Sequence, residues 1–286
     1  MIIYRFYRIK AKVTQGHAPK IPLSSILLDM YKKIRYQNGN LLSYAEYGNE
    51  NGYPILVQHG LIASIQDYHL FDSLIRAGIR LIPIARPGYG ESSPYRLADI
   101  AEWGKIVTIL VDELRLPHFD VLGMSSGAPY SYSIGYGLPD RVRNIFIFSG
   151  TPALYDDRVL ALWPYPVNKN AELPELQKLA GDLFFSNLSQ EALSQNDIQD
   201  SMKNDCFGIA LDLKLRCNPW GFLLADMTAN VTMQHSKTDD QVPFAAAEIT
   251  AKLLPNCRLE SKASGGHFTA DLLDDFIQSA MLPHYG

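Results

Sequence analysis

Apolar and polar positions along the chain follow two alternating rhythms. Short apolar runs of strand type fall at Lys32–Tyr36, Leu41–Tyr47, Pro54–Gln58, Arg80–Ile84, Phe119–Leu122, Arg143–Phe148, Asn230–His235 and Arg258–Ser261. Segments of helical period separate most of them. Ile65–Arg76 carries Ile65, Tyr68, Phe71, Leu74 and Ile75 on one face, and Asp99–Leu116 carries Ile100, Trp103, Val107, Leu110, Val111 and Leu114. Further helices are expected from the Gly123–Gly127 turn to about Tyr136, over Pro243–Leu254 and over His267–Ala280. Asn38-Gly39 between the first two strands is a hairpin signal. Strands alternating with helices imply parallel βαβ units and a doubly wound sheet, an α/β fold.

That rhythm breaks from Thr151 to about Ala229, which has no β period and several helical pieces, Leu173–Phe185 among them. It reads as a helical cap inserted above the sheet. The expected organisation is an N-terminal extension (1–29, without clear period), an α/β core (30–150 and 230–286) and the cap (151–229).

Composition narrows the function classes. Apolar residues make up 47% and charged residues 20%, enough for a full core. The net charge of −4 leaves no basic stripe for nucleic acid. Cys206, Cys217 and Cys257 stand far apart, against a disulfide framework or a Cys-rich zinc site and in keeping with a reducing compartment. Arg5, Arg8, Lys10 and Lys12 interrupt any signal-peptide core after Met1–Tyr4, so the expected location is cytoplasmic. The uncharged stretch Val121–Pro139 is long enough to suggest a membrane span, but its Gly, Ser and Pro content reads as a buried strand, turn and helix.

Candidate chemistry centres on that turn. Gly123-Met124-Ser125-Ser126-Gly127 fits G-x-S-x-G, weak alone but here lying between a strand and a helix. A sharp strand-to-helix turn exposes the Ser125 Oγ, requires small residues at 123 and 127, and aims helix N–H groups at developing negative charge. Ser126 lacks the flanking glycine spacing. A serine nucleophile needs a base and an orienting acid. Of seven histidines, His267 follows Gly265-Gly266 after the last strand, on the same sheet edge as the turn. His59 reads as a structural residue of a neighbouring loop, and His235 as packed at a strand end. Asp239 and Asp240 both end the penultimate strand, and both cannot face the imidazole.

Together these residues resemble the α/β-hydrolase family in its capped serine-hydrolase branch. Gln58-His59-Gly60-Leu61 is similar to the family's H-G oxyanion loop, and Arg86–Ser92 to its R-P-G-Y-G-x-S loop. Gly123–Gly127, Pro129-Tyr130 and Leu138–Val142 match its elbow and the approach to the next strand. The resemblance covers about Tyr31 to the C-terminus. It implies Ser125 as nucleophile and His267 as base. It also implies Asp239 as acid, four residues after His235 and four before Pro243. Backbone N–H groups of Leu61 and Ser126 would form the oxyanion hole, with His59, Gly60, Gly123 and Gly127 shaping the site. Three positions depart from the pattern: Ala85 stands where an Asp is usual, Ser236 replaces a Gly, and Ala128 follows the elbow. The first implies a looser loop near His59.

The implied activity is cleavage of a carboxylic ester or related acyl bond in a small, largely apolar molecule. No metal or organic cofactor, nucleic acid or membrane partner is called for, and the oligomeric state is open. Tyr155, Leu160, Leu162, Trp163, Tyr165, Phe184, Phe185, Phe207, Trp220 and Phe222 are candidates for an apolar pocket, with about half expected to be core. A cofactor-free perhydrolase, a C–C bond hydrolase or a receptor-like member with little turnover would share the same residues.

Overall fold

The computed structural model describes residues 31–285; the extension read at 1–29 lies outside them. In chain order the strands are β1 (Lys32–Arg35), β2 (Leu41–Tyr44), β3 (Tyr47–Gly48), β4 (Pro54–Gln58), β5 (Arg80–Ile84), β6 (Phe119–Met124), β7 (Val142–Phe148), β8 (Asn230–Ser236) and β9 (Cys257–Lys262). The helices are α1 (Asp72–Arg76), α2 (Ala101–Glu113), α3 (Ala128–Gly137), α4 (Asp157–Leu160), α5 (Leu173–Ala180), α6 (Gln190–Leu193), α7 (Asn196–Arg216), α8 (Phe244–Leu253) and α9 (Ala270–Phe276).

The strands form one mixed sheet in the order β1-β2-β5-β4-β6-β7-β8-β9, with β3 also on β5. From β5 to β9 the neighbours run parallel. The chain leaves β4 toward β5 on one side and returns as β6 on the other. The β4/β6 pair is therefore a topological switch point, where ligands of open α/β sheets bind outside the strand C-termini.

Side-chain alternation sorts the core into two layers. Leu56, Ile82, Val121, Ile145 and Ile147 meet α2 and α3 on one face. Ile55, Val57, Leu81, Leu122 and Phe146 meet α1 and α9 on the other. The insertion between β7 and β8 is helical throughout its regular elements, α4 to α7. It joins the body through Leu211, Leu215, Trp220, Phe222 and Leu224. No helix of the described residues is long and apolar enough to cross a membrane.

Three local expectations change. Leu41–Tyr47 is two strands, because Pro83 opposite accepts the Ala45 N–H but has no N–H to return. Ile65–Arg76 is helical only from Tyr68 (a 3-10 turn, then α1). Its first residues are held instead by side chains: the Gln66 N–H donates to Ser64 Oγ and the Ser64 N–H to Asp67 Oδ2. The last helix begins at Ala270, with Thr269 Oγ1 capping the Leu272 N–H, so His267 stands in the preceding loop. Within the insertion, α7 is broken by Asn204, Asp205 and Cys206, all in the left-handed region.

Candidate active site

Ser125 follows β6 directly and has φ +47°, a conformation an L side chain rarely adopts and that its surroundings must hold in place. Both flanking glycines are required by space. A Cβ on Gly123 would lie 2.3 Å from Ser131 Oγ, and one on Gly127 2.1 Å from the Gln58 carbonyl oxygen. The Thr151 N–H donates to the Ser125 carbonyl at 2.9 Å and ties the turn to the end of β7.

His267 reaches Ser125 from the loop after β9. Its Nε2 is 2.9 Å from Ser125 Oγ and its Nδ1 2.8 Å from Asp239 Oδ2. An ionised carboxylate only accepts, so the ring proton sits on Nδ1 and Nε2 receives the Ser125 hydroxyl. Asp239 is fully buried at its side chain. Its Oδ1 accepts the N–H groups of Gln241 and Val242, both at 2.9 Å. Burial works to raise its pKa, but the bonds from His235, His267 and Val242 outweigh it and hold the carboxyl well below the ordinary range. Asp240, the other carboxylate at this turn, is exposed.

His235 does more than pack. Its Nε2 lies 2.9 Å from the Val242 carbonyl oxygen and 3.1 Å from Asp239 Oδ2, while its Nδ1 is buried without a partner. Its proton therefore belongs on Nε2, shared between those two oxygens. The H-x-x-x-D spacing was legible in the sequence; this contact was not.

The His59-Gly60-Leu61 loop follows β4, whose Gln58 is in register with Gly123 of β6. That register brings Gly60 against the elbow: a Cβ built on it would be 3.8 Å from Ser125 Cβ. Ser126, buried, is the middle residue of the turn Ser125–Gly127 that leads into α3. His59 Nε2 accepts the Arg86 N–H at 3.2 Å, so Nδ1 carries the proton and donates to the Gly60 carbonyl at 2.8 Å. Burial, then the Arg86 charge, push its pKa well below the usual imidazole value.

The loop is not loosened by Ala85. Arg86 Nη1 donates to the His59 carbonyl at 2.5 Å and Nη2 to the Gly60 carbonyl at 2.9 Å. Its charge is met by Asp212 on α7, 2.6 Å away and equally buried. Asp212 escaped sequence reasoning; the one available signal was a lone acid within the apolar run Gly208–Leu213.

Of the ten large residues expected to divide between core and pocket, only Leu162 and Tyr165 are exposed. The other eight pack into hydrophobic clusters. A cleft of about 370 Å³ between Tyr95–Ala98 and α7 contains none of the site residues. Among the described residues no three His, Cys, Asp or Glu side chains gather as metal ligands.

The architecture has many solved counterparts. An esterase from Exiguobacterium antarcticum matches with a TM-score of 0.66 at 21% identity, covering 87% of this chain and 100% of that one. A hydrolase from Pseudomonas aeruginosa PA01 matches at 0.64 and 18% identity, covering 90% and 98%. A bromoperoxidase from Bacillus anthracis matches at 0.58 and 18% identity, covering 88% and 98%. The chain has the α/β-hydrolase fold. No protein-family model matches it. An uncharacterized hydrolase of Bacillus subtilis (strain 168) is 30% identical over 112 residues, 39% of either chain. The dihydrolipoyllysine-residue acetyltransferase component of the acetoin cleaving system of Pseudomonas putida is 26% identical over 147 residues, 50% of this chain and 40% of that one. The chain thus spans less than half the length of these curated relatives.

Proposed function

We propose that the protein is a serine hydrolase that cleaves a carboxylic ester or related acyl bond through an acyl-enzyme. The observation carrying this reading is the continuous hydrogen-bonded line from Ser125 Oγ through His267 to Asp239, with links of 2.9 and 2.8 Å. It starts from a serine held at φ +47° beside the switch point of the sheet. In the proposed mechanism Ser125 Oγ attacks the carbonyl carbon while His267 Nε2 takes its proton. Asp239 holds the Nδ1–H tautomer and stabilises the imidazolium. The N–H groups of Leu61 and Ser126 receive the developing oxyanion, each such donor being worth about 3 kcal/mol in the transition state. His267 then protonates the leaving group, and water, deprotonated by the same imidazole, releases the acid.

The helical insertion is proposed as the cap over this site, and the substrate as small and largely apolar. Leu61 and Ile62 beside Ser125 cluster with Phe184 and Leu188 of the insertion, and the Arg86–Asp212 pair neutralises itself. A fluorophosphonate should modify Ser125 alone, as mapped by mass spectrometry. A series of nitrophenyl esters should show kcat/KM rising from acetate to butyrate, since each buried methylene contributes about 0.8 kcal/mol. An adduct on another residue would overturn the nucleophile, and preference for an anionic acyl group would overturn the apolar substrate.

A further inference from the structure

Three successive peptide carbonyls of the loop beside Ser125 are held by side chains. The His59 carbonyl accepts from Arg86 Nη1 at 2.5 Å, and the Gly60 carbonyl from Arg86 Nη2 at 2.9 Å and from His59 Nδ1 at 2.8 Å. The Leu61 carbonyl accepts from the Tyr89 hydroxyl at 2.9 Å. In a trans peptide the C=O and the following N–H point in opposite directions. Fixing the Gly60 oxygen therefore fixes the Leu61 N–H. A glycine at 60 gives this segment no side-chain restraint of its own.

What holds Arg86 and Tyr89 in turn comes from the insertion. Asp212 Oδ1 accepts from Arg86 Nε at 3.3 Å and from the Tyr130 hydroxyl at 2.6 Å. Its Oδ2 accepts from Arg86 Nη2 at 2.6 Å and lies 3.0 Å from the Tyr89 hydroxyl, whose single proton is shared between this carboxylate and the Leu61 carbonyl. One helical turn earlier, Gly208 lies so close to the Tyr89 ring that a Cβ there would be 2.4 Å from Cδ2. With Ala85 next to it, Arg86 finds its carboxylate on α7 rather than beside it in its own loop.

We infer that Asp212 is a positioning residue for the oxyanion hole: Arg86 orients the Leu61 N–H through the Gly60 carbonyl of the same peptide, Tyr89 anchors Leu61 from its other side through its own carbonyl, and the insertion holds both. The inference rests on the serine-hydrolase reading and adds to it a dependence of the sheet's chemistry on the insertion. Docking of α7 is then required for turnover even when substrate can reach Ser125.

The test compares wild type with Tyr89→Phe, Tyr130→Phe and Asp212→Asn on 4-nitrophenyl butyrate, with butylboronic acid as a tetrahedral analogue. Tyr89 and Tyr130 both donate to Asp212, but only Tyr89 holds a loop carbonyl. Tyr89→Phe should lower kcat about tenfold, part of the roughly 100-fold effect of losing an oxyanion donor. KM should stay within about twofold, and the boronate Ki should rise in proportion to the loss in kcat. Tyr130→Phe should lower kcat less than threefold. Asp212→Asn, where it folds, should approach the full loss. Equal effects of the two tyrosine variants, or an unchanged boronate Ki alongside a lower kcat, would show that the cluster is only structural. Ser125→Ala separates the two levels: if it retains turnover the serine-hydrolase reading fails, whereas loss of turnover there with wild-type kcat in Tyr89→Phe overturns this inference alone.

Discussion

Two buried carboxylates serve the neighbourhood of Ser125, and they are built in opposite ways. Asp239 takes two of its contacts from backbone N–H groups two and three residues ahead, and the others from His235 and His267. Asp212 takes all of its hydrogen bonds from side chains of the body, 82 to 126 residues away along the chain. Asp239 is fixed by its own turn and spends its other oxygen on two imidazoles, His235 and His267. Asp212 is fixed only when the insertion docks, and it neutralises a guanidinium. A carboxylate held by its own backbone can serve chemistry, because its position survives small movements elsewhere. One held by distant side chains serves assembly, and reaches the chemistry only through what it holds.

The sharpest test of that contrast is to remove each negative charge. Asp239→Asn should lower kcat by about 10⁴-fold through loss of the imidazole tautomer, as measured on a nitrophenyl ester. Asp212→Asn should reverse the emphasis. It leaves a buried guanidinium without its counter-charge, and denaturant unfolding should show a loss of about 3–5 kcal/mol. Were Asp239→Asn the more destabilised variant, the division between chemistry and assembly would be wrong.

The loop between the two carboxylates carries a pH dependence. His59 is held neutral, its folded pKa below the unfolded value of about 6.5. Above that pH neither state takes the proton. As pH falls below it, the unfolded chain binds the proton first, so stability declines toward the folded pKa, at most about 1.4 kcal/mol per pH unit. Unfolding at pH 7.5, 6.5 and 5.5 should show this slope, and His59→Asn should flatten it. The smallest effect is expected from Asp240→Asn, whose kcat should stay within about twofold because this exposed carboxylate is not the one bonded to His267. A large loss there would mean that the two neighbouring carboxylates exchange roles in solution.

Much of the Asp239 side was legible in the chain itself. Alternating periods place β4, β6, β8 and β9 in a parallel sheet, and the glycines at 123 and 127 mark a turn that only small residues can make. Between Asp239 and Asp240 only the family resemblance, with its spacing from His235 and to Pro243, singled out the carboxylate that lies beside His267, and Gly265-Gly266 marked the loop that carries the histidine. These signals are short-range: backbone sterics and periodicity act over a few residues and leave their imprint in order and spacing. The Asp212 side left almost none. An acid on the buried face of α7 reads as a solvated helix residue until Arg86, Tyr89 and Tyr130 are brought to it. The second contact of His235, the unwinding of Ser64–Asp67 and the packing of most of the insertion's aromatic residues were likewise decided by tertiary structure. Each depends on which distant group arrives to satisfy a buried donor, acceptor or ring, and chain spacing does not encode that arrival.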